Sequence, residues 1–232
     1  MEKLKSGLHA MRMLDIGIGG GRTTQYFAPL AKEYIGIDFD SNMILACEKR
    51  FPNRPQNISF VTCDARSMNL FPNGRFDFIL FSFNGIDYLN HQERLNALRE
   101  INRVGRKGGY FFFSTHNLSS IDRLFTLREP GNPAKFWKAL CKQVLLRLLN
   151  KNIKKLKTQQ YALISDGNYY GRLERLTAHL WRGLGYYYYC KPEEQVRQLL
   201  TSGFKIVEIY SLEGKMITSE AELRTTTDYW LH

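Results

Sequence analysis

The sequence predicts an α/β fold, a doubly wound and mostly parallel sheet with helices on both faces and a helical insertion after the fifth strand. Three observations carry that expectation. Short β-favouring apolar runs alternate with segments of helical periodicity through the first half of the chain. The connections between them are short, so consecutive strands pair in parallel through right-handed crossovers. The fourth run, residues 76–82, is apolar almost throughout, as a strand covered on both faces must be.

Taken in order, residues 12–16 are a short apolar run ending in a glycine-rich turn. Residues 23–32 read as a helix, and residues 34–37 as an apolar strand ending in acids. Residues 41–50 form the next helix, with Ser41 as its N-cap. Residues 58–62 and 76–82 are the third and fourth strands. In residues 91–104, Leu95, Leu98, Ile101 and Val104 recur at helical spacing. The pair Gly108 and Gly109 turns into a fifth strand at 110–115. Residues 117–185 then show no clear strand, and an amphipathic basic helix is expected at 133–157. Residues 186–189 read as a strand, 193–202 as a helix and 204–212 as a strand. One domain is expected across residues 1–232: a ligand-binding core at 1–116, an insertion or lid at 117–185, and strands completing the sheet at 186–232.

Bulk composition agrees. The chain has 232 residues, 44% hydrophobic and 24% charged, which suits one globular domain and excludes disorder. Its net charge of +11, from 33 basic and 22 acidic residues, attracts anions such as nucleic acid, acidic lipid or acidic substrates. The four cysteines, Cys47, Cys63, Cys141 and Cys190, form no CxxC pair and no cluster with histidine. No disulfide framework and no metal site are expected, and reduced thiols in a cytoplasmic protein are the default. The first thirteen residues lack an apolar stretch long enough for a signal peptide. No run of eighteen apolar residues predicts a membrane-spanning helix.

Four loops fall together at the carboxyl ends of the expected strands, residues 15–22, 38–43, 63–66 and 82–88, where open α/β sheets bind ligands. The first reads Asp15-Ile16-Gly17-Ile18-Gly19-Gly20-Gly21-Arg22. Its glycines allow a sharp turn and close approach of a ligand to bare main chain, and amides at a helix start favour a carboxylate-bearing group. It is not a dinucleotide fingerprint. Counted from Gly17, the last glycine of GxGxxG falls on Arg22, and counted from Gly19 it falls on Thr24. Asp15 would repel a pyrophosphate but not an ammonium group. Asp38 ends the next strand, where an acid accepts hydrogen bonds from ribose hydroxyls. These features describe a nucleoside ligand with a cationic amino-acid end.

The ordered set Asp15-x-Gly17-x-Gly19-x-Gly21, Gly36-Ile37-Asp38, Cys63-Asp64-Ala65, Phe76-Asp77-Phe78-Ile79 and Arg103-Val104-x-x-x-Gly108-Gly109 resembles that of class I S-adenosylmethionine-dependent methyltransferases, which have a Rossmann-like sheet. It is most similar to the small-molecule enzymes related to those of ubiquinone and menaquinone biosynthesis. The likeness covers residues 11–116 well and 186–212 weakly. It implies S-adenosylmethionine as cofactor and S-adenosylhomocysteine as product. It implies that Asp15 and the glycine loop (Gly17, Gly19, Gly21) hold the methionine end and that Asp38 takes the ribose hydroxyls. Phe39 and Met43 would flank the adenine, and Asp64 with the backbone of Ala65 would meet its amino edge. Phe81 and Ser82 would lie near the methyl sulfonium. Met43 is also consistent with simple core, Asp64 with a turn cap, and Asp40 with a helix-start acid. Resembling enzymes usually carry a helix or two before the glycine motif. Here about ten residues precede the first strand, so the cover is expected to be short or to come from elsewhere.

Methyl transfer needs alignment and water exclusion more than it needs a catalytic group, though a weak acceptor such as a hydroxyl needs a base. Asn84, Asp87, Tyr88, His91 and His116 follow the fourth and fifth strands, and His116 is the candidate base. Asp87 and His91 straddle a helix start, where capping also explains them. The basic stretch 135–157 admits three readings: a lid, a membrane-surface element, or an RNA contact. The acceptor is read as a small or amphiphilic metabolite. An RNA methyltransferase and a cofactor-binding protein without catalysis are the alternatives.

Overall fold

The structure is a computed structural model that describes residues 7–125, 140–141, 144, 153–165, 186–226 and 228–231. Its strands are β1 (Arg12–Ile16), β2 (Glu33–Asp38), β3 (Ile58–Thr62), β4 (Phe76–Phe81), β5 (Gly105–Asn117), β6 (Tyr161–Ser165), β7 (Tyr186–Cys190), β8 (Ile209–Ser211) and β9 (Asp228–Leu231). Its helices are α1 (Thr24–Phe27), α2 (Ser41–Arg50), α3 (His91–Val104), α4 (Ile153–Thr158), α5 (Pro192–Thr201) and α6 (Glu220–Thr225). The strands form one sheet in the order β3-β2-β1-β4-β5-β7-β6, with β9 pairing β5 and β8. Strands β1 to β5 run parallel. Strand order reverses between β1 and β4, which is the doubly wound α/β arrangement and sets the ligand edge beyond Ile16 and Phe81.

The continuous apolar run of β4 is explained by cover on both faces. Ile79 and Phe81 join a core with Leu14, Ile16, Ile35 and Ile37 and with Leu98, Ile101 and Val104 of α3. Phe78 and Leu80 join the opposite core with Met13 and Tyr34, and with Ile44 and Cys47 of α2. Each fully buried side chain of this size contributes roughly 1.5–3 kcal/mol. Helix α3 starts at a capping box: Asn90 Oδ1 accepts from the Glu93 amide at 3.0 Å, and Glu93 Oε2 accepts from the Asn90 amide at 3.0 Å.

Several expected boundaries move. The helix expected at 23–32 is α1 followed by a 3-10 turn, Ala28–Leu30, because Pro29 has no N–H to continue an α-helix. Asp40, not Ser41, caps α2, accepting from the Asn42 amide at 2.9 Å. The fifth strand runs from Gly105 to Asn117 rather than 110–115, with a register shift against β4 between Phe76 and Phe78. A strand does occur within 117–185: β6 pairs antiparallel with β7, Tyr161 opposite Cys190. Its alternation, with Ala162 and Ile164 buried and Leu163 exposed, is too short to stand out in a basic segment. Of the run 204–212 only β8 is paired. Phe204 and Ile206 pack on the core without a partner strand. Most of the helix expected at 133–157 lies outside the described residues, with α4 at its end. No helix among the described residues is long and apolar enough to cross a membrane.

Candidate active site

The glycine loop follows β1 with Gly17, Gly19 and Gly21 at φ 69°, 51° and 77°, a region that other residues enter only with strain. Four of its amides are committed to the protein. Gly17 and Ile18 donate to the Ile37 carbonyl at 2.8 and 3.2 Å, and Gly21 to the Ile18 carbonyl at 2.9 Å. Gly19 donates to Asp38 Oδ2 at 2.9 Å. The expectation that these N–H groups face an anion therefore does not hold for those four. Gly19 and Gly20 border open space, whereas a side chain on Gly21 would meet the Phe51 ring at 2.6 Å. Gly21 thus seats the loop on α2.

Asp15 is fully buried. Its Oδ2 accepts from the hydroxyls of Thr23 and Tyr34, both at 2.6 Å. Its Oδ1 is buried without a hydrogen-bond partner. Burial pushes the carboxyl up to about 6, against the opposing pull of those two hydroxyls. An acceptor atom left this way suits a cationic group better than any other.

Asp38 ends β2, also buried. Its Oδ1 accepts from the Asp40 amide at 3.0 Å and its Oδ2 from Gly19, so the carboxylate is held by main chain on both oxygens with a lone pair to spare on each. Phe39 stands 69% exposed beside it, and Met43 is half-buried on α2. Asp64 lies at the third loop, gripped by Arg66: both oxygens accept from Nε at 3.0 and 2.9 Å, and Oδ2 accepts from Nη2 at 2.5 Å. Arg66 also pairs with Glu93. Any ligand that donates to Asp64 shares it with Arg66. Ala65 is half-buried against the first core.

Phe81 is buried, with its ring 3.2 Å from where a Gly17 side chain would begin and 2.4 Å from that of Gly85. It underlies the loops, and Ser82 beside it is buried as well. The next two residues, Phe83 and Asn84, both take φ 54°, a region asparagine enters readily but phenylalanine only where its surroundings enforce it. The Asn84 amide donates to Ser114 Oγ at 2.8 Å. The Arg22 guanidinium lies over the Phe83 ring, 3.1 Å from its centroid, joining the first loop to the fourth.

His116, near the end of β5, belongs to a buried polar network. Its Nδ1 and its amide both meet Asp87 Oδ2 at 2.7 Å, and its Nε2 meets Asn84 Nδ2 at 3.1 Å. The carboxylate partner places the proton on Nδ1, which leaves Nε2 as the basic nitrogen accepting from Asn84. Asp87 Oδ1 accepts from Thr115 Oγ1 at 2.8 Å and is ion-paired with Arg94, both side chains fully buried. Arg94 also bonds Thr115 at 3.0 Å and Gln198 at 3.2 Å, and it reaches Gln195. The capping explanation for Asp87 is thereby corrected, since Asn90 caps α3. His91 lies elsewhere, its Nδ1 on the Tyr188 hydroxyl at 2.8 Å and its ring stacked on Tyr161. Arg94, Gln195 and Gln198 were not singled out from the sequence. The available signal was their spacing, since Arg94 falls three and four residues before buried Ala97 and Leu98. Tyr88 is half-exposed against Tyr187.

Two of the buried thiols offer no nucleophile. Burial pushes Cys47 up to about 11 and Cys190 up to about 12, so neither supplies a thiolate near neutral pH. No group of metal-ligating side chains forms among the described residues.

Comparison with known proteins agrees with this geometry. The family profile described as a methyltransferase domain matches residues 13–109. An uncharacterized methyltransferase of Bacillus subtilis, YcgJ, is 29% identical over 52% of this chain and 49% of its own length. The chain spans half or less of the curated relatives it matches. A solved S-adenosylmethionine-dependent methyltransferase from Clostridium acetobutylicum superposes with TM-score 0.64 at 13% identity, covering 99% of this chain and 86% of that one. The 1,6-didemethyltoxoflavin-N1-methyltransferase of Burkholderia thailandensis, solved with S-adenosylhomocysteine, superposes with TM-score 0.56 at 14% identity, covering 99% and 75%. Residues 13–109 thus match a methyltransferase domain, and they lie on a doubly wound sheet consistent with the Rossmann-like fold of class I S-adenosylmethionine-dependent methyltransferases.

Proposed function

We propose that the whole chain transfers a methyl group from S-adenosylmethionine to a small or amphiphilic metabolite, with His116 as general base. The observation that carries this reading is the His116 pair with buried Asp87, beside the strained loop at the sheet's ligand edge. That the Burkholderia neighbour holds a small molecule together with S-adenosylhomocysteine supports the acceptor class. In this reading residues 1–232 form one domain.

The residues present fit the cofactor. The partnerless Asp15 Oδ1 suits its ammonium group, and the open side of Gly19 and Gly20 suits close approach to main chain. Asp38 would take the ribose hydroxyls, Phe39 and Met43 would flank the adenine, and Asp64 with Ala65 would meet its amino edge. Gly17 and Gly21 shape the loop, and Phe81 and Ser82 support the reacting end from below. When bound, S-adenosylmethionine supplies an electrophilic methyl group on a sulfonium. The protein's work is to align the acceptor, exclude water and take up a proton. His116 Nε2 would accept that proton from the acceptor in place of its hydrogen bond from Asn84. Asp87 is a positioning residue: it fixes the tautomer and stabilises the imidazolium that forms.

The test is transfer of label from methyl-labelled S-adenosylmethionine into a cell extract fractionated into small molecules, lipids and RNA. His116→Gln is expected to lower the transfer rate by roughly 10²–10⁴-fold with affinity for S-adenosylhomocysteine unchanged. Undiminished transfer would remove His116 from the chemistry. Label recovered in RNA would contradict the acceptor class.

Asp15 adds a pH signature. The cationic end of the ligand favours the ionised carboxylate, so binding competes with the proton that Asp15 takes up below about 6. Affinity is expected to be level above that pH and to weaken roughly tenfold per unit below it. In Asp15→Asn the profile is expected to be flat and the affinity low. Wild-type affinity that does not change between acid and neutral pH would exclude Asp15 from the ligand.

A further inference from the structure

We infer that Arg22 binds the carboxylate of the cofactor's amino-acid end and so sets the site's preference for a ligand that carries one. This deepens the reading above and rests on it. A zwitterionic end needs an anion and a cation from the protein. Asp15 supplies the anion. Four of the amides that could meet a carboxylate are spent: those of Gly17, Ile18, Gly19 and Gly21 all donate within the protein. A cationic side chain is suited to that part.

The four loops at the ligand edge contain two, Arg22 and Arg66. Arg66 is committed to Asp64 and Glu93. A third cation, Arg50, reaches the glycine loop from the end of α2, but it donates to the Gly20 carbonyl at 2.8 Å and to Gln25 Oε1 at 2.9 Å. Arg22 has no acidic partner among the described residues. It is exposed, follows the glycines directly, and rests on the Phe83 ring across the mouth between the first and fourth loops. Stacking on a ring leaves the edge of a guanidinium free, and that edge is the part that meets a carboxylate through two parallel hydrogen bonds. Phe83 is held for this contact in a backbone conformation it would not adopt freely, and its neighbour Asn84 reaches His116. The same contact therefore ties the loop that would hold the cofactor to the loop that carries the base's partner.

Calorimetric titration with S-adenosylmethionine and with decarboxylated S-adenosylmethionine isolates the carboxylate. Wild-type protein is expected to prefer the first by roughly 10–100-fold, the range of a charge-assisted pair. Arg22→Met is expected to bind the two alike, at the wild-type level for the decarboxylated ligand, and Arg22→Lys to restore part of the preference. Circular dichroism checks that both variants fold, as an exposed position should allow. A variant that keeps the wild-type preference would overturn the assignment. So would a variant that loses both ligands equally, which would mean that Arg22 only shapes the loop. Wild-type protein that binds both ligands equally would remove Arg22 while leaving the cofactor reading intact. Wild-type protein that binds neither would remove both.

Discussion

Asp87→Ala is expected to destabilise the fold by about 3–5 kcal/mol, the cost of stranding a buried charge whose partner is gone. Asp87 and Arg94 are both fully buried, and Thr115, Gln195 and Gln198 give Arg94 hydrogen bonds but no counter-charge. Urea unfolding at neutral pH measures the effect. The double variant Asp87→Ala, Arg94→Met should recover much of the loss, because no uncompensated charge then remains. Loss of under about 1 kcal/mol in the single variant would mean that water reaches the pair and that it does not organise the site. The network also joins α5 to the carboxyl ends of β4 and β5, so the C-terminal segment bears on the geometry of His116. Asp87→Asn keeps the shape but removes the charge that favours the Nδ1–H tautomer, so its effect should fall on catalysis more than on folding.

Asp38→Ala should lower affinity for S-adenosylhomocysteine by about 100-fold or more. Two charge-assisted hydrogen bonds from a ribose diol, each worth roughly 1.5–3 kcal/mol, would go. The same carboxylate fixes the Gly19 amide, so the loop loses its anchor to β2 as well. Titration calorimetry measures the loss, and a retained cooperative melt shows that the fold survives. Asp38→Asn, which keeps one acceptor oxygen, should fall between. A variant that binds as well as the parent would place the ribose elsewhere.

The parallel half of the fold was legible because its signals are local. Strand β4 shows its double burial in composition, α3 shows its periodicity, and the glycine loop shows its turn. The expected ranges of β1, β3, α2 and α3 coincide with those observed. The rest depended on contacts between distant residues. Strand β6 has five residues and gains its meaning only from β7. The extension of β5 through Gly108 and Gly109 looked like a turn because the bulge against β4 is a property of the pair, not of either strand. At the site, Asp15, Asp38 and His116 stand at strand ends where topology alone placed them. Asp87 stood as a candidate that capping also explained, because its partner Arg94, on a face otherwise apolar, is the one that settles its role. The commitment of the loop amides to Ile37 and Asp38 is likewise invisible in a one-dimensional pattern, yet it decides what kind of ligand the loop can hold.

Titration of the purified protein with S-adenosylmethionine, S-adenosylhomocysteine and NADH tests the central claim most directly. The site described here should bind both adenosyl ligands at micromolar concentration and NADH not at all, since Asp15 opposes a pyrophosphate and four of the loop amides are already spent. Binding of NADH, or failure to bind either adenosyl ligand, would contradict it.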